Sequence, residues 1–272
     1  MAGQDHLRNI QTLMGMDEYS ADADKRLLDD YLIDLKADQS LSGPYIEHMD
    51  DETIELFQRS EDYRTWSHSG ESSMLTLTGY NHFSIEASAL HCWVSPMAVS
   101  VFNKLHMDST PDDVFSLHIV GLRGKEDLPK IVFSLLFQLL KLRPAYLLNE
   151  EQHMELLAEL QAHKRSATVD NMTSLKKIAI RVLNLFVAPK TVWLLVDRVH
   201  LCQRGTESGP SRLMELFVYL VQSSKTRVRV LVVADGNDAY WQLDRSLGEI
   251  KDGKSPRVIS HVANQRSIGE KQ

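Results

Sequence analysis

Cysteine is nearly absent: Cys92 and Cys202 are the only two in 272 residues. Two thiols cannot staple a chain of this size, so a secreted disulfide framework is excluded and reduced thiols are expected. Charged residues interrupt every apolar run well short of the roughly 18 residues a membrane helix needs. The first residues are polar and acidic, without the basic and apolar regions of a secretory signal. No run of lysine and arginine interleaves with aromatics, which argues against general nucleic-acid binding. These absences lead us to expect a cytoplasmic or nuclear protein with no membrane and no nucleic-acid partner.

What is present suffices for a sizeable core. Hydrophobic residues make up 43% of the chain, and the formal net charge is −7. That charge is unevenly placed. Residues 1–62 hold 16 of the 37 acids and only 5 of the 30 bases, so the rest of the chain is mildly basic. The asymmetry divides the chain into an acidic helical extension (1–62), an α/β domain (63–265) and a short tail (266–272). The extension carries an apolar stripe, Leu27, Leu28, Tyr31, Leu32 and Leu35, at helical spacing. That stripe packs either on the core or on another protein.

Beyond the extension, strand and helix patterns alternate. Residues 49–59 read as a helix and 64–73, polar and serine-rich, as a loop. Strands are expected at 74–78, 114–120, 191–196, 228–234 and 257–262, the last at a sheet edge. The stretches 191–196 and 228–234 are apolar on both faces, as in the interior of a parallel sheet. Helices are expected from Ser95-Pro96, from an Asp127 N-cap, over 150–164 and 172–187, from Ser211, and near 240–247. The implied fold is a three-layer α/β structure, a parallel sheet of about five strands with helices on both faces.

The order of signals resembles the NACHT and related STAND-type P-loop NTPase domains, especially those of large fungal families. Tyr63-Arg64-Thr65-Trp66 stands before the first strand, Ser73–Gly79. Leu135-Leu136-Phe137-Gln138-Leu139-Leu140 is followed by Pro144, and Val196-Asp197 by Cys202. In such domains the aspartate ending this strand associates with magnesium, and Val228–Ala234 would be the sensor strand. The resemblance spans roughly 63–262.

The parts that phosphoryl transfer requires are missing from it. Where Gly-Lys-Ser/Thr should follow the first strand, the chain reads Gly79-Tyr80-Asn81-His82-Phe83-Ser84-Ile85-Glu86. A phosphate loop needs several glycines and a lysine; this one has one glycine, no lysine and a glutamate. His200 takes the place of a second acid, and Asp235-Gly236-Asn237-Asp238 that of an arginine after the sensor strand. The resemblance therefore implies a non-catalytic protein-interaction or scaffold module, without cofactor, on a degenerate NTPase fold. The alternative is weak binding of Mg-ATP or Mg-GTP through Gly79, Asn81 and Asp197.

Asp197 is either a magnesium-associated carboxylate or a strand-tip aspartate paired with Arg198, Arg229 or a loop amide. Gly121-Leu122-Arg123-Gly124-Lys125 is the one glycine-lysine step after a strand, and a glycine turn before the Asp127 cap accounts for it. His91, Cys92, His200 and Cys202 offer four zinc donors from loops after two strands, without Cys-x-x-Cys spacing. Cys92 with His200 is also a conceivable nucleophilic pair, although no flanking signature accompanies it.

Overall fold

The computed structural model describes residues 2–20, 25–33, 51–79, 94–108, 110, 111, 113–121, 126–166, 172–186, 190–202, 209–235 and 257–263. Five strands form one sheet: β1 (Ser73–Gly79), β2 (Asp113–Ile119), β3 (Thr191–Asp197), β4 (Arg227–Asp235) and β5 (Arg257–Ala263). Every pairing is parallel, and the spatial order is β2-β3-β4-β1-β5. β1 and β3 are buried along their whole length, as the two-faced apolar pattern of Thr191–Val196 requires of an inner strand.

Helices cover both faces. On one lie α3 (Asp51–Arg59), α4 (Glu61–His68) and α5 (Ser95–Met107), packed through Phe57, Trp66, Met97 and Val101 onto Leu75, Trp193 and Leu231. On the other lie α6 (Leu128–Leu142), α7 (Glu150–Arg165), α8 (Met172–Leu183) and α9 (Gly209–Ser223), around a larger core. The Asp127 carboxylate accepts the Lys130 N–H at 3.0 Å and starts α6 at the expected residue. The expected helix near 240–247 lies outside the described residues.

Two helices are additional to those expected from the sequence. Residues 64–73, expected as a loop, include most of α4. Ser60 caps this helix through the Tyr63 N–H, and its polar surface hides two buried anchors, Tyr63 and Trp66. α1 (Ala2–Leu13) buries Leu7 and Ile10 in the larger core, and the His6 ring stacks on His153 with centroids 3.8 Å apart. Leu7, Ile10, Leu13 and Met14 fall at helical spacing, a short stripe set among polar residues that was not among the expected helices.

The described part of the apolar stripe in the acidic segment packs on the core, and Leu35 lies outside the described residues. Residues 25–33 are helical (α2), and Leu28, Tyr31 and Leu32 meet Val99, Leu117 and Ile119 beside β2. Among the described strands β2 stands at the edge of the sheet, and edges expose unpaired amides. The Gln138 side chain covers part of it: its oxygen accepts the Leu117 N–H at 3.1 Å and its nitrogen donates to the Leu117 carbonyl at 2.9 Å. One carboxamide thus imitates a neighbouring strand.

The Tyr63-x-x-Trp66 element has an equally concrete structural role. Trp66 is fully buried, edge-on to Trp193, and the Arg229 guanidinium lies 4.9 Å from the Trp193 ring centre. Arg229 donates to the Trp66 and Ser69 carbonyls at the end of α4, fastening that helix to the sheet. A cation at a helix C-terminus is favourable there. Burial, followed by the charge of Arg227, lowers the Arg229 pKa to about 10.

Candidate functional site

In an open parallel sheet, ligands bind outside the carboxyl ends of the strands where the chain reverses its direction across the sheet. Here the chain leaves β1 by α5 on one face and returns through β2, β3 and β4 by helices on the other. The switch therefore falls between β1 and β4. Gly79 ends β1 level with Asp235 of β4, and Asp197 ends β3 on the far side of β4. Asp197 is level with Val233 and Leu77, two residues short of Gly79, so two inter-strand spacings and two residues of rise put the Gly79 and Asp197 backbones roughly 12 Å apart. Asn81, the third residue expected in this site, lies outside the described residues.

Asp197 is wholly buried, and neither carboxyl oxygen has a hydrogen-bond partner among the described residues. Burial pushes its pKa up to about 6. The Ser95 hydroxyl, the Arg198 guanidinium and the Arg198 N–H offset part of that rise without completing a hydrogen bond. The Ser95 hydroxyl is likewise buried without a partner. The Ser95-Pro96 step predicts Ser95 as the N-cap. The cap is Val94 instead, and Ser95 lies inside the first turn of α5 facing the Asp197 region. A serine-proline step marks a helix start, but only the tertiary position separates a cap from a site residue.

Arg198 closes the site from the side. Its backbone is left-handed, φ 61°, an uncommon conformation for a residue with a Cβ. Its side chain is 4% exposed, with the guanidinium 5.6 Å from the Tyr31 ring centre on α2. Gly121 must be glycine here: φ is +88°, and a Cβ would stand 3.3 Å from Leu201 and 3.6 Å from the Arg198 guanidinium. Its N–H donates to the Glu126 carboxylate at 2.8 Å, so Gly121 serves a turn, as the sequence suggested. Residues 122–125 lie outside the described residues. Of the partners foreseen for Asp197, Arg198 is adjacent. Arg229 is not, being near the amino end of β4 and bonded to α4.

The first turn of α5 offers little to a phosphate. Pro96 has no N–H, and the Met97 N–H already donates to the Val94 carbonyl at 3.0 Å. A helix N-terminus binds anions through free first-turn amides, and here two of the first three are unavailable. A divalent cation would find one carboxylate and one hydroxyl, with no third His, Cys, Asp or Glu grouped nearby among the described residues.

Of the four zinc candidates, His91 and Cys92 lie outside the described residues, which leaves the Cys92–His200 pair equally undescribed. His200 occupies the half-buried turn after β3, and Cys202, 2% exposed, packs in the larger core. No helix among the described residues is long and apolar enough to cross a membrane. The sequence matches no protein-family model and no curated protein.

Proposed function

We propose that this chain is a degenerate P-loop NTPase-like module of the NACHT/STAND type that acts by binding another protein and does not hydrolyse nucleotide. The observation that carries the reading is the state of α5. The next described helix after β1 begins Val94-Ser95-Pro96, with no lysine between it and β1 in the sequence, one amide deleted by proline and another bonded internally. Phosphoryl transfer depends on positioning and charge neutralisation, and this end supplies neither the cation nor the amide cradle. Asp197, buried and with a pKa near 6, is held in place as a strand tip. Without nucleotide hydrolysis the layered fold still offers a surface on which another protein can dock.

A second reading has one observation in its favour. A hydroxyl and a carboxylate, both unpartnered, meet at the switch point, which suits weak binding of Mg-ATP or Mg-GTP. Thermal unfolding with each nucleotide and magnesium separates the two. The interaction module should keep its midpoint and release no inorganic phosphate. A ligand at 100 times its Kd adds about 2.7 kcal/mol. A midpoint rise of that size, lost in Asp197→Ala, would establish the second reading and overturn the first.

A further inference from the structure

A buried relay of three side chains lies on the other side of β2, away from Asp197. His118 points from β2 toward α6, where its Nδ1 is 2.9 Å from the Ser134 hydroxyl. Its Nε2 is 3.3 Å from the Glu126 carboxylate. All three are less than 8% exposed. Burial alone would raise the Glu126 pKa. Hydrogen bonds from His118 and the Gly121 N–H, with the charges of His118 and Lys130, instead hold it below the ordinary carboxylate range.

That ionised carboxylate fixes the tautomer. It can only accept, so in the neutral imidazole the proton sits on Nε2 and Nδ1 is bare. The Ser134 hydroxyl then donates to Nδ1. A mid-helix serine ordinarily bonds back to the carbonyl four residues earlier; Ser134 instead faces a base that a carboxylate orients. This is the arrangement of an activated nucleophile. It also has access, because a cleft of about 270 Å³ under α2 is lined by His118, Ser134 and Gln138, with Leu28 and Leu117 as apolar walls and Lys25 contributing from α2.

We propose that Ser134 is a nucleophile that takes a short acyl group from an ester or thioester entering the cleft beneath α2. Ser134 Oγ bonds to the acyl carbon as its proton passes to His118 Nδ1. The carbon–oxygen or carbon–sulfur bond to the leaving group breaks, and His118 returns the proton to the departing alcohol or thiol. Water later hydrolyses the acyl-serine by the same base. Glu126 is a positioning residue: it holds the imidazole and touches no substrate. The α6 amides around Ser134 are bonded within the helix, and the two N–H groups of Gln138 donate to the Leu117 carbonyl and, at 3.4 Å, to Ser134 Oγ, so no free oxyanion donor stands there among the described residues. A missing oxyanion donor costs about 10²–10³ in rate. Acylation in a single turnover, and not rapid turnover, is the expected behaviour.

The test treats the full chain with a fluorophosphonate, which loses fluoride on reaction, and with p-nitrophenyl acetate, followed by mass spectrometry. One adduct on the peptide containing Ser134 is expected, absent in Ser134→Ala and at least ten-fold slower to form in His118→Gln. Glu126→Gln should slow labelling while the thermal midpoint holds, because its amide can donate to Nε2 and turn the imidazole to the wrong tautomer. A folded wild type that gains no adduct, or an adduct that persists in Ser134→Ala, overturns the proposal. If Ser134→Ala does not fold, Ser134→Cys decides. Alkylation of that thiol by iodoacetamide ten-fold faster with His118 than with His118→Gln supports the relay, and equal rates refute it.

Discussion

An aspartate sealed in the interior, its carboxyl oxygens without a hydrogen-bond partner among the described residues, makes a prediction whose sign depends on pH. The carboxyl of Asp197 titrates at about 6 in the folded chain, against 3.8 for an ordinary aspartate. Between those values the native state holds a proton that the unfolded state has released. Stability therefore falls as pH rises from about 4 to about 6, and the full penalty persists above that window. A shift of that size corresponds to roughly 3 kcal/mol. Asp197→Asn keeps the shape and removes the charge. Near pH 8 it should exceed wild type by up to about 3 kcal/mol, or a midpoint about 6 °C higher for a chain of this length. Near pH 4 the gap should shrink below about 1 kcal/mol, since wild type is then protonated in the native state. Urea unfolding of both proteins at the two pH values measures the difference, and other carboxylates cancel. A gap of the same size at both pH values, or Asp197→Asn less stable at pH 8, would mean that the native carboxylate is charged and satisfied. The explanation from burial would then fail. A penalty for Asp197→Asn that appears only with added magnesium would point to the nucleotide-binding reading.

Three further outcomes follow from the packing. Gln138→Ala leaves the Leu117 N–H and carbonyl unpaired on an edge strand and should cost about 1–3 kcal/mol in urea unfolding, with more aggregation at high concentration. Arg229→Met strands the Trp66 and Ser69 carbonyls and should cost about 2 kcal/mol, and Arg229→Lys, unable to reach both, should recover only part of it. Trp66→Ala opens a cavity between α4 and the sheet, for which about 3–5 kcal/mol is expected from thermal or chemical denaturation.

The local chemistry of the chain explains how much of this was readable. Asp127 announced α6 because a cap is a short-range bond. Thr191–Val196 announced an inner strand because both its faces are apolar. The same kind of reading missed α4, whose stability rests on Trp66 meeting Trp193 across 127 positions of sequence. It also misplaced Ser95, since a cap and a buried site hydroxyl share the Ser-Pro signature. Gln138 and the Tyr63-x-x-Trp66 pair were visible as parts of a resemblance, but their physical tasks, covering an edge and anchoring a helix, were not.

By itself the sequence determined a parallel α/β layer structure and the absence of a phosphate-binding lysine, because periodicity and composition are local properties. The tertiary structure alone decided that the Asp197 carboxyl is buried beside Ser95 without a hydrogen bond among the described residues, and that Arg229 stands away from it. It alone joined His118, Glu126 and Ser134, which no spacing along the chain connects. Strand order and burial set those outcomes: they choose which distant side chains share a low-dielectric space, and that space decides which groups keep their charge.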